Sequence, residues 1–102
     1  MPAYVLVDVE VTEPREYEEY KKMASRSIQT HGGRYLVRGC AVETLEGEWS
    51  LQRVVILEFP DAAAARAWWN SQDYRPARDL RHRTARTRMV LLEGIVEPPS
   101  VA

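Results

Sequence analysis

From Ala3 to Val11 the chain alternates. Val5, Val7, Val9 and Val11 fall on one side, and Tyr4, Leu6, Asp8 and Glu10 on the other. Period-two spacing of β-branched residues predicts a strand. The period then changes: Tyr17, Tyr20, Ala24 and Ile28 recur every three or four residues, which predicts a helix to about Gln29, with Thr12 as a candidate N-cap and Pro14 in its first turn. Glu16, Glu18, Glu19, Lys21 and Lys22 make the solvated side of that helix, and His31-Gly32-Gly33 ends it. Arg34 to Arg38 is a short second strand, broken at Gly39-Cys40 and resumed at Ala41 to Leu45 in one reading. Gln52 to Phe59 is an apolar third strand. Asp61 after Pro60 caps a helix carrying Ala62, Ala65, Trp68 and Trp69, and Ser71 caps a further short helix with Asp73 in its first turn. Thr87 to Val96 is the last strand, followed by a Pro98-Pro99 tail.

Strand, helix, strand, strand, helix, strand, with one extra short helix before the last strand, is the α+β ferredoxin-like order: an antiparallel sheet with helices on one side. One domain over residues 1–96 and a flexible tail over 97–102 account for the 102 residues. The valine side of the first strand belongs under the helices. The other side is then open, with Tyr4, Leu6, Asp8 and Glu10. Alternation adds Arg34, Leu36 and Arg38; Val54, Ile56 and Glu58; and Arg88, Val90 and Leu92, unless a bulge at Gly39 switches the register. A half-apolar sheet face left in water marks an interface, and two such faces meeting would make a homodimer with an enclosed interior.

Composition removes several classes of function. Hydrophobic residues make up 45% and the net charge is −1, so the chain is an ordinary globular domain without the charge of a nucleic-acid or anionic-membrane binder. No stretch is long and apolar enough to span a bilayer, and no basic-then-apolar leader follows Met1. The single cysteine, Cys40, has no intrachain partner, so the expected setting is cytoplasmic. Two histidines at no ligand spacing give no metal motif, and no cofactor is expected. Phosphate-binding glycine loops and nucleophile elbows are missing too.

Several phrases, taken together, resemble one family. They are Gly32-Gly33-Arg34-Tyr35-Leu36-Val37-Arg38-Gly39, Leu45-Glu46-Gly47-Glu48-Trp49, Val54-Val55-Ile56-Leu57-Glu58-Phe59-Pro60 and Trp69-Asn70-Ser71-Gln72-Asp73-Tyr74, with the opening Met1-Pro2-Ala3-Tyr4 and Asp8, Glu10 and Val11. The chain from Pro2 to about Gly94 resembles domain of unknown function 1330. That resemblance implies a dimeric α/β barrel, in which two ferredoxin-like sheets close around an interior and each subunit holds a cavity. It implies no reaction. Relatives by fold include cofactor-free oxygenases, muconolactone isomerases, chlorite dismutases, haem-dependent peroxidases and polyketide cyclases. His31 and the run Arg81-His82-Arg83 depart from the family's pattern.

The candidate chemistry rests on polar residues placed on an otherwise apolar strand face. Asp8 or Glu58 is a candidate general base, with Arg38 or Arg34 stabilising an enolate oxygen; the alternative is that these charges simply pair. His82, among Arg78, Arg81 and Arg83, is a candidate secondary acid or proton acceptor, or else an exposed surface residue. His31 at a helix end reads as structural. The six arginines between Arg75 and Arg88 either draw an anionic substrate or form a solvated helix face. Substrate contacts are expected from Tyr4, Arg34, Trp49, Trp68, Tyr74 and Arg78. Of Trp68 and Trp69 one must be core, since adjacent helix positions cannot both face inward. Cys40 reads as an inert small hydrophobe. The function expected is cofactor-independent proton-transfer chemistry (isomerase, cyclase or lactone type) on a hydrophobic oxygenated small molecule. The alternatives are a metabolite-binding module without catalysis and a haem- or oxygen-dependent oxidoreductase.

Overall fold

The computed structural model describes residues 1–95, without the side chain of Cys40. The expected tail at 97–102 and the inert reading of Cys40 lie outside the described residues, while the last strand, expected over Thr87 to Val96, runs from Ala85 and ends at Glu93. The elements are β1 (Ala3–Val11), α1 (Pro14–Thr30), β2 (Arg34–Cys40), β3 (Val54–Phe59), α2 (Ala62–Asn70), α3 (Arg75–Thr84) and β4 (Ala85–Glu93). The four strands form one antiparallel sheet in the order β2-β3-β1-β4, and the fold is α+β ferredoxin-like.

Strand β1 covers the range its alternation predicts. Val5, Val7 and Val9 are buried, because the helices lie over that side. Opposite them in the ladders stand Leu57 and Val55 of β3 and Leu91, Met89 and Thr87 of β4, which share the covered side. The core continues into the helices through Tyr17, Ala24 and Ile28 of α1, Ala65 and Trp68 of α2, and Ala77 of α3. Trp68 is 1% exposed, stacks on Tyr74 at 4.2 Å and on Phe59 at 5.4 Å, and donates from its indole N–H to Ser27 Oγ at 3.1 Å. Gly33 lets α1 end hard against the sheet, for a Cβ there would lie 2.6 Å from the Phe59 ring.

Local differences from the sequence reading have plain causes. Thr12 does not cap α1. The N-cap position is taken by Glu13, whose side chain makes no capping bond, and the Thr12 and Glu13 N–H groups both donate to the Thr84 carbonyl, which ties the start of α1 to the end of α3. Residues 41–45 form no strand but part of the long β2–β3 connection, and β3 starts at Val54 rather than Gln52. Asp61 does cap α2, accepting the Ala64 N–H. Ser71 accepts the Tyr74 N–H and donates to the Trp68 carbonyl, which joins the two helices, but α3 proper begins at Arg75 and is a full ten-residue helix.

Candidate functional site

The open side of the sheet carries most of the residues singled out from sequence, and it pairs their charges. Asp8 accepts from Arg88 Nη2 at 2.9 Å and from the Gln52 N–H at 2.9 Å. The Arg88 guanidinium holds the Asp8 carboxyl below its ordinary value, and the Gln52 N–H adds to that shift. Glu58 accepts from Arg34 Nε at 2.7 Å. Tyr4 stands opposite Glu58 and Leu92, half-buried on the same face. Trp49, on the β2–β3 connection, is 60% exposed and borders a shallow apolar hollow with Leu6, Leu51, Val54 and Val90.

Arg38 is not on that face. The β2–β3 register slips between Tyr35 and Val37, so that Arg38 stands opposite Val55 on the helix-covered side. There its guanidinium lies 4.3 Å over the Tyr35 ring and donates to Ser25 Oγ of α1. A second slip follows between Arg38 and Cys40, where Gly39 takes φ +68° and a Cβ would lie 2.5 Å from Arg53 Nε. The switch therefore comes at Leu36, ahead of the expected glycine, and it separates Arg38 from both carboxylates it was expected to serve.

A different site lies between the helices and the outer half of the sheet. Val5, Met89 and Leu91 form the floor, and Ala65 and Trp68 of α2 the roof, of a cavity of about 390 Å³. Trp69, Asn70, Thr87 and His82 edge it, and Arg66 at the rim reaches Glu93 at 4.0 Å. Arg81 lies in its wall. This arginine is only 3% exposed, yet among the described residues no carboxylate pairs with it. Nη1 donates to Thr87 Oγ1 at 2.7 Å, Nη2 lies 3.3 Å from His82 Nε2, and the buried Nε has no partner. A guanidinium has donors only, so His82 Nε2 accepts and the ring proton sits on Nδ1. An ion this far from water without a counter-charge is costly to keep, and such groups gather at functional sites.

Sequence reasoning named Trp68 and His82, which both border this cavity, His82 as an exposed residue at its edge, but it gave Arg81 no role beyond the run Arg81-His82-Arg83. The signal was present. Tyr74, Ala77, Arg81 and Thr84 recur at helical spacing and are all buried, so Arg81 belongs to the inward stripe of α3 rather than to a solvated face. Of the other candidates, Tyr74 is fully buried behind Trp68. Its hydroxyl meets that of Tyr20 at 3.1 Å, and burial raises the pKa of both phenols, most of all that of Tyr20. Arg78 packs its guanidinium 4.6 Å over the Trp69 ring at the outer end of the same helix pair. His31 caps the end of α1, its Nδ1–H donating to the Ser27 carbonyl. Among the described residues no group of His, Cys, Asp and Glu could hold a metal ion, and no helix is long and apolar enough to cross a membrane.

The profile of the family described as domain of unknown function (DUF1330) matches residues 2–95. No curated protein matches the chain. Among solved structures, a protein of unknown function from Rhodopseudomonas palustris is similar at a TM-score of 0.74 with 22% identity, covering 95% of this chain and 84% of that one. A dimeric ferredoxin-like protein of unknown function from Jannaschia sp. CCS1 is similar at 0.68 with 18% identity, covering 92% and 100%. SnoaB, a cofactor-independent oxygenase from Streptomyces nogalater, is similar at 0.63 with 14% identity, covering 97% and 98%. At such identities the likeness is one of fold.

Proposed function

Because this chain belongs to the DUF1330 family, which supplies a fold and no reaction, we propose its function from the site: a small enzyme that works without a bound cofactor on an oxygenated small molecule. The observation that carries this reading is the buried, carboxylate-free Arg81 in the wall of an apolar cavity. When a proton is removed beside a carbonyl, negative charge gathers on the oxygen, and a guanidinium already fixed at that point stabilises it without reorganising. His82 Nε2 is the proton acceptor, exchanging its contact with Arg81 for one with the substrate as the ligand enters. Trp68, held by Ser27 and stacked on Tyr74, keeps the reacting end dry. SnoaB, named as a cofactor-independent oxygenase, supports the idea that a layered fold of this kind can host such chemistry.

In this reading Asp8 and Glu58 are fixed charges rather than bases. Each is already engaged by an arginine, and Asp8 is the harder to protonate for it. The face they occupy, with Val90, Leu92 and Trp49 exposed, meets a second copy of the chain, a reading supported by the relative described as dimeric.

The test is solvent-deuterium incorporation, followed by NMR, into a panel of cyclic 1,3-diketones and unsaturated lactones. Wild-type protein is expected to accelerate exchange of at least one member. Arg81→Met and His82→Gln should each slow it about 100-fold, while Asp8→Asn and Glu58→Gln leave it within about twofold. Exchange that survives His82→Gln but not Asp8→Asn would return the chemistry to the open face. No acceleration of any member removes the enzyme reading.

A further inference from the structure

We propose that the cavity under α2 and α3 selects an apolar monocarboxylate, its anionic end on Arg81 and its body against Met89 and Leu91. The inference rests on the reading of that cavity as the functional site and goes beyond it by fixing the charge and number of charges of the ligand, whose carboxylate takes the place on Arg81 that a developing enolate oxygen would occupy.

The charge follows from a local imbalance. Of the residues bordering the cavity, Arg66, Arg81 and His82 are basic or can be, and none is a carboxylate. Arg66 is an exposed rim residue that already has Glu93 within reach, so it needs no further anion. Arg81 is the buried one, and its hydrogen bonds to Thr87 and His82 use neutral acceptors and leave Nε without a partner. One uncompensated buried cation calls for one negative charge. A dianion would bring a second charge into apolar surroundings with nothing to receive it. A carboxylate matches the planar fork of a guanidinium better than a spherical ion does.

The apolar body follows from the lining. Val5, Ala65, Met89 and Leu91 line the space beside Arg81, and such aliphatic walls favour a ligand whose body is apolar. The volume of about 390 Å³ lies within the range of small-ligand pockets and leaves room for a two-ring body.

The probe is 2-naphthoate, with 2-naphthamide as its uncharged counterpart and naphthalene-2,6-dicarboxylate as the dianion, each titrated into the full-length protein and followed by tryptophan fluorescence. Wild type should bind the monocarboxylate about 10- to 100-fold more tightly than the amide or the dianion. In Arg81→Met that preference should vanish while amide affinity stays within about twofold. A second measurement needs no variant: in ¹⁵N-labelled wild type, 2-naphthoate should move one buried arginine Nε–H resonance and 2-naphthamide should not. Equal affinities for naphthoate and naphthamide, a preference for the dianion, a preference that survives Arg81→Met, or an Nε–H signal indifferent to naphthoate would each overturn the proposal. Its failure is separable from that of the enzymatic reading. Selective naphthoate binding with no deuterium exchange in any diketone or lactone removes catalysis and keeps the ligand class. Catalysed exchange with no preference for the anion does the reverse.

Discussion

The two sides of the sheet hold comparable numbers of charged candidates and treat them in opposite ways. On the open side, Asp8 and Glu58 each have an arginine within 3 Å, and those arginines reach water. On the covered side, Arg81 has lost water and gained no carboxylate. Exposed pairs of the first kind contribute little to stability and demand nothing of a ligand. A buried cation of the second kind is a standing cost that a bound anion removes. A polar residue on an apolar face is thus a weak sign of function until its partner is known; the sharper sign is a missing partner.

The largest expected effect falls on the packing that shapes the covered side. Trp68→Ala should lower unfolding stability by about 3–5 kcal/mol in urea, since it empties the centre of the aromatic stack. Arg81→Met should do the opposite, raising stability by about 1 kcal/mol or more, because an apolar side chain suits that wall better than an unpaired ion. A drop in stability on that substitution would mean that Arg81 is a structural residue and would erase the contrast between the two sides.

Tyr20→Phe should cost about 1 kcal/mol by leaving the Tyr74 hydroxyl without its partner. It also sharpens the picture at high pH. The Tyr20 pKa is raised in the folded protein, so its contribution is fully present below the ordinary value of 10.0 and is lost as pH rises through the folded value. Alkaline unfolding of Tyr20→Phe should therefore be less steep than that of wild type.

Asp8→Asn carries the smallest expected effect, about 0.2–1 kcal/mol, because Arg88 is 74% exposed on its side chain and the pair is screened. The sign of its pH dependence is reversed from that of Tyr20. The Asp8 pKa is lowered, so the contribution is complete above the ordinary value of 3.8 and disappears as pH falls through the folded one. Denaturation curves of wild type and Asp8→Asn should converge in acid. If they stay apart there, the Arg88 contact is not the source of the difference.

The order of elements and the strand β1 were legible in the sequence because period-two and period-3.6 spacing translate directly into faces. The whereabouts of Arg38 were not. The register slip at Leu36 has no glycine or proline to announce it, and a one-residue slip moves every later side chain to the other side. Arg81 was legible in principle but hidden by its neighbours. Amid Arg75, Arg78, Arg83 and Arg86, composition speaks for a solvated helix, and only the spacing from Ala77 to Thr84 places one of the arginines inside. Which acid meets which base was beyond reach, since Asp8 and Arg88 lie 80 positions apart and meet only through the β1–β4 register.

The alternation of β1 has a consequence for how such a protein can change over time. In β1, β3 and β4 the odd-numbered positions Val5, Val7, Leu57, Met89 and Leu91 build the covered side, and the even-numbered Leu6, Asp8, Ile56, Glu58 and Arg88 build the open one. Neighbouring codons therefore answer to different selective demands. A lineage can remodel what the cavity admits by drifting at every second position, while the interleaved positions keep whatever surface recognition they have acquired.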